Sequence, residues 1–294
     1  MKLYVISWFG RRIYPELIER RKKIHKTQID WALAQGLEPV VYAQEYAPED
    51  YLEGVTYIKS ETPNHPSIGR NILLKHFYQT SDDWAVFADN DAILYDDDTH
   101  ADSHHFIAEF KKIDPKDIKY VAAITPIDGR QTPFRATLET NGWQKNWILK
   151  RKNNLKGSLF VMKNMKKAFN EEIYFDETFG ADGKFIPYED LDFAITITKK
   201  NYGVYEMQNI ILKEIGSNIS TWAKNDRITQ FNEGAEDRNS GSEIGRLKIL
   251  EKWGRLDLKD HGRKWSELCS NNTREKSLNI SKDGDDSNQF FTIN

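Results

Sequence analysis

Cysteine is almost absent from this chain: Cys269 is the only one among 294 residues. A single thiol excludes an intrachain disulfide and suits a reducing compartment. Long apolar runs are also missing. None approaches the ~20 residues a helix needs to cross a bilayer, and mean hydropathy is −0.69. The short stretch Leu3–Phe9 has no small-residue cleavage site and runs into Arg11-Arg12, so it reads as a first strand and not a signal peptide. The expectation is a soluble, cytoplasmic protein with no membrane span. Net charge is small, −3 with a pI near 6.2, which excludes a uniformly basic nucleic-acid binder. No internal repeat is present.

The near-neutral average conceals two one-signed regions. Residues 82–102 carry eight aspartates and no Lys or Arg, whereas residues 140–170 carry eight Lys or Arg and no Asp or Glu. Inside the acidic region, the apolar run from Trp84 ends abruptly in Asp89-Asn90-Asp91. Side chains at i and i+2 of an extended segment share one side, so the two carboxylates can converge on a hard cation. A solvated acidic turn is the plainer reading of a bare Asp-X-Asp. Here the acids stand at the carboxyl end of a buried strand, the edge where ligands of open α/β sheets gather. Asp96, Asp97 and Asp98 read as a solvated loop.

Around that strand, elements alternate. Strands are expected at 3–7, 38–43, 55–58, 84–88 and 119–124. Helices are expected over 15–34, over 67–78 with Ser67 as cap, and at 103–112. In the first helix Gln28 interrupts the apolar stripe of Leu17, Ile18, Ile24, Trp31 and Ala32, and Gly36 stops the helix. Further on come a strand at 158–162, helices near 163–170 and 188–200, strands near 203–207 and 210–215, and helices within 220–260. The last 25 residues look polar and weakly patterned, a tail. The alternation argues for an α/β fold, a mostly parallel central sheet with helices on both faces.

A second acidic cluster, Glu189-Asp190-Leu191-Asp192, opens the helix at 188–200. Acids in a first helical turn are favoured by the helix dipole. The sharper reading makes Glu189 or Asp190 a general base for an incoming hydroxyl.

Taken together these motifs resemble the GT-A glycosyltransferases, the Rossmann-like enzymes that use nucleotide sugars. The resemblance runs through Ser67-Ile68-Gly69-Arg70-Asn71, Asp89-Asn90-Asp91, the Gly157-bearing strand, Phe175-Asp176-Glu177-Thr178-Phe179, Glu189-Asp190 and Lys252-Trp253-Gly254, in that order over residues 1–255. It implies a catalytic domain at 1–217, with a nucleotide-binding half (1–125) and an acceptor half (126–217). A helical extension (218–268) and a polar tail (269–294) would follow. It also implies a UDP-sugar donor with Mn²⁺ or Mg²⁺. Asp91 would bind the metal, Asp89 the metal or the ribose beside Asn90, and Ser7, Trp8, Phe9 and Arg11 would lie beside the base. Arg70 is a candidate for the phosphates, and a surface salt bridge is an equal one. Family members often place a histidine metal ligand two residues before a glycine in the last core strand. Here Glu214 occupies that position before Gly216, either as a ligand or as an ion-pair partner, with His261 as an alternative donor.

The basic region borders the acceptor side in such a fold. Trp143, Lys145, Trp147, Lys150, Arg151 and Lys152, with Gly157 beyond them, would suit a polyanion that also offers bases for stacking. A solvated basic loop is the competing reading. The profile of a stand-alone enzyme without an anchor also resembles the DNA-modifying glycosyltransferases of T-even-type bacteriophages. That resemblance implies hydroxymethylcytosine-containing or already glucosylated DNA as acceptor, in the host cytoplasm of a phage-infected cell. A bacterial surface polysaccharide is the rival acceptor. Two other classes stay open: a two-metal phosphoryl-transfer or nuclease site, and a non-catalytic nucleic-acid-binding module.

Overall fold

The computed structural model describes residues 1–10, 15–94, 110, 119–128, 147–152, 155, 157–183, 188–214, 244–245, 247–253 and 290–293. The expected helix at 103–112 apart from Phe110, the rest of 220–260, and His261 lie outside them.

Ten strands form one sheet: β1 (Lys2–Trp8), β2 (Glu38–Gln44), β3 (Thr56–Ser60), β4 (Trp84–Asp89), β5 (Ala92–Leu94), β6 (Val121–Asp128), β7 (Trp147–Lys152), β8 (Leu159–Lys163), β9 (Gly203–Glu214) and β10 (Phe290–Ile293). Their order is β10-β7-β9-β6-β8-β4-β1-β2-β3, and β5 pairs with β9. The run β4-β1-β2-β3 is parallel throughout. β8 lies antiparallel between β4 and β6, β9 is parallel to β6, and β5, β7 and β10 make antiparallel pairs. Followed pair by pair, β5, β7 and β8 oppose the other strands, so seven of the ten described strands run the same way. This is the expected α/β sheet, with direction reversed where β8 enters.

The central strands are apolar on both sides because helices cover both faces. Leu3 and Val5 of β1, Val86 and Ala88 of β4, and Leu159 and Val161 of β8 pack on one face with Ile29 and Ala32 of α1 (Ile18–Ala34). Alternate residues Tyr4, Phe87 and Phe160 pack on the other face with Leu74 and Phe77 of α2 (Pro66–Tyr78) and Phe193 of α4 (Glu189–Lys199). Tyr4 stacks on Phe87 at 5.0 Å and Phe87 on Phe160 at 5.3 Å, carrying that face across three strands.

The ends of the helices refine the sequence reading. The first helix opens with a 3-10 turn at Pro15–Leu17. It stops at Gly36, whose φ of +69° is a left-handed conformation that glycine adopts without strain. At the start of α2 the cap is His65 and not Ser67: the ring nitrogen Nδ1 accepts from the Ser67 amide, with Pro66 at the first helical position. The short α3 (Met165–Phe169) is capped by Asn164, whose Nδ2 also reaches the Phe77, Thr80 and Asp82 carbonyls and so ties α2's end to β4's start.

Two expectations along the second half change. The two strands near 203–207 and 210–215 are one strand, β9. Part of the basic loop, 147–152, is strand β7, and 290–293 within the polar tail pair with it as β10. The Phe-Phe-Thr-Ile run has the aromatic and β-branched residues that suit an edge strand.

Candidate active site

Four segments from distant parts of the chain meet at the carboxyl end of β4. Asp89 is its last residue, registered against Ile6 of β1. Its amide donates to the Ser158 carbonyl in the turn before β8, at 2.9 Å. Arg70 comes from α2, and Glu189 and Asp190 open α4.

Arg70 joins them. Its Nη1 donates to Glu189 Oε1 at 2.8 Å, and its Nη2 to Asp89 Oδ1 and the Gly157 carbonyl, each at 3.0 Å. The guanidinium is a planar fork with several fixed donors, which lets one side chain serve three acceptors. Only 5% of the Arg70 side chain is exposed, against 39% of Asp89. Burial opposes the guanidinium charge, but the Asp89 and Glu189 carboxylates outweigh it and hold Arg70 protonated more firmly than an ordinary arginine. Gly157 is needed here for space: a Cβ would come within 2.8 Å of Arg70 Nη2.

The acids respond to crowding in the opposite sense. Asp89 is partly exposed to water, yet burial raises its carboxyl above the ordinary range, with Arg70 countering. Asp190 is pushed up to about 7, first by burial and then by the neighbouring Glu189 carboxylate. Arg70 and two backbone donors, the amides of Leu191 at 2.7 Å and Gly157 at 3.4 Å, offset only part of this. The preceding Tyr188 has φ +84°, a left-handed conformation unusual outside glycine, and it sets the angle at which the two acids enter.

The Asp89–Asp91 turn is held from the other side as well. Asn90 Nδ2 donates to Ser7 Oγ at 3.2 Å, and Ser7 Oγ also accepts from the Tyr46 hydroxyl. Tyr46 in turn stacks on Phe9 at 4.5 Å. Trp8 donates its indole N–H to Glu45 at 2.7 Å, and the Arg21 guanidinium lies 5.9 Å from its ring centroid. Ser7, Trp8 and Phe9 thus stand at the carboxyl end of β1 beside the turn, in the neighbourhood the resemblance implies for a nucleotide.

Glu214, the last residue of β9, is registered opposite Ala92, one residue beyond Asp91. The fold therefore brings the backbone of the third acid to the Asp-X-Asp turn. Among the described residues no group of three His, Cys, Asp or Glu side chains is poised around an ion. The Glu214 side chain lies outside them, as do Arg11, Trp143, Lys145 and the side chains of Trp147, Lys150, Arg151 and Lys152.

The remaining motifs turn out to brace this site. Asn71 donates to the Phe175 carbonyl and to Glu177, and accepts from the Phe175 amide at 2.8 Å. Lys252 bridges Asp176 and Asp192, and the Trp253 indole N–H donates to Asp192 Oδ1 at 2.7 Å. Arg70 and Asn71, adjacent in sequence, thus hold the acids and their supporting segment respectively. Sequence reasoning passed over Tyr46 and assigned no role to Gln28, although Gln28 was visible as a polar break in an apolar stripe.

No protein-family model matches the chain, and no curated protein matches it. Several solved structures overlap with it. A197 from STIV is 16% identical over 71% of this chain and 83% of that one, with a TM-score of 0.38. S. aureus TarS 1-349 is 14% identical over 91% and 79%, with a TM-score of 0.42. GalNAc-T7 with UDP, GalNAc and Mn²⁺ is 12% identical over 72% of this chain and 43% of that one, with a TM-score of 0.41. At such values the likeness reaches the path of the chain at most.

Proposed function

We propose that this protein is a metal-dependent glycosyltransferase that moves a sugar from a UDP-sugar to a hydroxyl acceptor. The observation that carries this is the Arg70 bridge, which draws Asp89 at the end of β4 and the Glu189-Asp190 pair at the start of α4 together. A donor-side acid and a candidate base then stand side by side, the proximity a group transfer between two bound substrates requires.

The oxygen donors fit a hard divalent ion. Asp89 ends β4, Asp91 lies in the turn that follows, and Glu214 is registered opposite the next residue, Ala92. Mn²⁺ or Mg²⁺ held there would supply Lewis acidity to a diphosphate leaving group. The chain's own part is the proton. Asp190, with its carboxyl near 7, is matched to accept the acceptor hydroxyl's proton near neutral pH. As it does so, the oxygen bonds to the sugar carbon and the sugar–phosphate bond breaks, its electron pair leaving with UDP. Glu189 and Arg70 orient the base and Asp89. For the acceptor, the five Lys or Arg of residues 145–156, a stretch without acids, favour a polyanion, and hydroxymethylcytosine-containing DNA is the specific proposal.

Calorimetric titration with UDP tests the donor half. Wild type should bind UDP more tightly with Mn²⁺ than without, and Asp91→Asn should lose that gain; a wild type indifferent to metal would refute it. For the acceptor, hydroxymethylated DNA incubated with UDP-sugars should gain a hexose mass and unmodified DNA should not. Modification of a polysaccharide alone would overturn the DNA proposal and leave the donor half standing.

A further inference from the structure

Gln28 lies on α1, far in sequence from the acids, and is fully buried on the helix face that otherwise packs against the sheet. A polar amide there loses its water and must find partners within the protein. Its Nε2 has two, the carbonyls of Asp89 at 2.6 Å and Ala92 at 2.7 Å. These flank the Asn90-Asp91 pair, so one amide grips the turn at both ends. Its orientation is unambiguous, because a flipped amide would turn its oxygen toward two carbonyl oxygens. The His25 ring, one turn earlier on the helix, is equally buried and sits edge-on to Phe9 and Tyr46. The Phe9–Tyr46 stack supports the Ser7 hydroxyl that receives Asn90. The turn is therefore clamped at its backbone by α1 and at its middle side chain by β1.

We propose that Gln28 is a positioning residue of the donor site: its double hydrogen bond fixes the spacing and aim of Asp89 and Asp91 toward the metal-bound diphosphate. The inference rests on the donor-site reading above. An apolar residue would suit the packing of this helix face but would leave the two carbonyls without their donor. Two carbonyls turned inward need a donor, and the helix supplies one at Gln28, on a buried face that also carries Arg21 and His25.

The test uses the full chain with Gln28→Met, close in size but without donors, and Gln28→Glu, which keeps the polarity but cannot donate when ionised. UDP affinity is measured by calorimetry with and without saturating Mn²⁺, and the ratio of the two affinities is the metal's contribution. That ratio should fall roughly tenfold or more in both variants, while metal-free UDP affinity stays within about threefold of wild type. A merely structural role would lower both affinities together, and that result, or no change in either, overturns the proposal. Loss of fold in both variants overturns it too, since Gln28 would then serve the core. If wild type itself shows no metal gain, the donor reading fails, and hydrogen exchange over residues 88–93 decides the rest. Faster exchange there in both variants sustains the anchoring; unchanged exchange removes it.

Discussion

Two buried cations flank the same pair of central strands, and the fold treats them in opposite ways. At the carboxyl end of β4, Arg70 meets the Asp89 and Glu189 carboxylates and the Gly157 carbonyl. At the amino end, Lys163 of β8 is registered against Trp84. Its ammonium donates to the Lys119 carbonyl at 2.8 Å and lies 4.9 Å from the Trp84 ring centroid. Around Arg70 the carboxylates prevail over burial and the charge is locked in. Around Lys163 burial prevails over the field of Asp83, and the amine is pulled down to about 7. Burial alone does not decide whether a charge survives; the number and nearness of opposite charges does. The end that gathers acids is the end where chemistry can occur.

The sharpest way to break this contrast is to remove Arg70. Arg70→Met leaves Glu189 buried and Asp89 crowded without their counter-charge. Stripping one partner from a buried ion pair costs about 3–5 kcal/mol, and the lower end applies because Asp89 is reachable by water. Urea unfolding at pH 7.5 should show a loss of about 3 kcal/mol, smaller at pH 5 where Asp89, already raised and now without Arg70, takes up a proton more readily. On the proposed function, sugar transfer should fall roughly a hundredfold or more, since the proposed base and donor-side acid lose their shared anchor. A variant of wild-type stability at both pH values would mean that Arg70 is not the organising charge.

A smaller effect on the fold, though a large one on rate, is expected at Asp190. General-base catalysis typically contributes about 10²–10⁴-fold, so Asp190→Asn should slow transfer by that order and abolish the acid limb of the pH–rate profile near 7. Stability should change with an opposite sign. The folded carboxyl, at about 7, lies above its ordinary 3.8, so the folded state holds the proton more tightly. The resulting stability is present below about 4 and is lost as pH rises to about 7. Asp190→Asn should lack that decline. Denaturant midpoints measured from pH 4 to 8 check it, and parallel curves for the two proteins would assign the shift to another group.

Much of this architecture was legible in the chain because its signals are local. β1, β4 and β8 announce themselves as apolar runs, and the Asp-X-Asp turn stands out because it cuts such a run short. The paired faces of α1 and α2 follow from helical spacing. What stayed hidden depends on pairing across distance. Nothing in the period of β8 says that it inserts antiparallel between β4 and β6, since an alternating pattern is the same in either direction. The Arg70–Glu189 contact spans 119 residues, and neither residue's neighbours hint at it. Ser67 looked like the cap of α2 on preference alone, yet the ring nitrogen of His65 took that place. Gln28 was the instructive case: the break in its stripe was visible, but its meaning lay in two carbonyls more than sixty residues away.

The least loss is expected at the other end of β4, where the contrast can be sharpened. Lys163 titrates near 7 when folded and at 10.5 ordinarily, so between those values the unfolded chain binds more protons. Its contribution is most favourable above about 10.5, is lost as pH falls toward 7, and levels off below. Lys163→Met retains an unbranched apolar stem over Trp84 and removes the titration. It gives up the hydrogen bond to Lys119, worth about 1 kcal/mol, and escapes a desolvation cost of comparable or greater size. Stability at pH 7 should therefore hold or rise, with the rise between pH 7 and 9.5 flattened. Sugar transfer should be unaffected, because the residue stands at the opposite end of the strand from the acids. Urea unfolding across that range, with transfer assayed alongside, gives both readouts. A loss matching that of Arg70→Met, or a collapse of transfer, would show that the two cations are equivalent after all and that the sheet does not separate its charged end from its packed one.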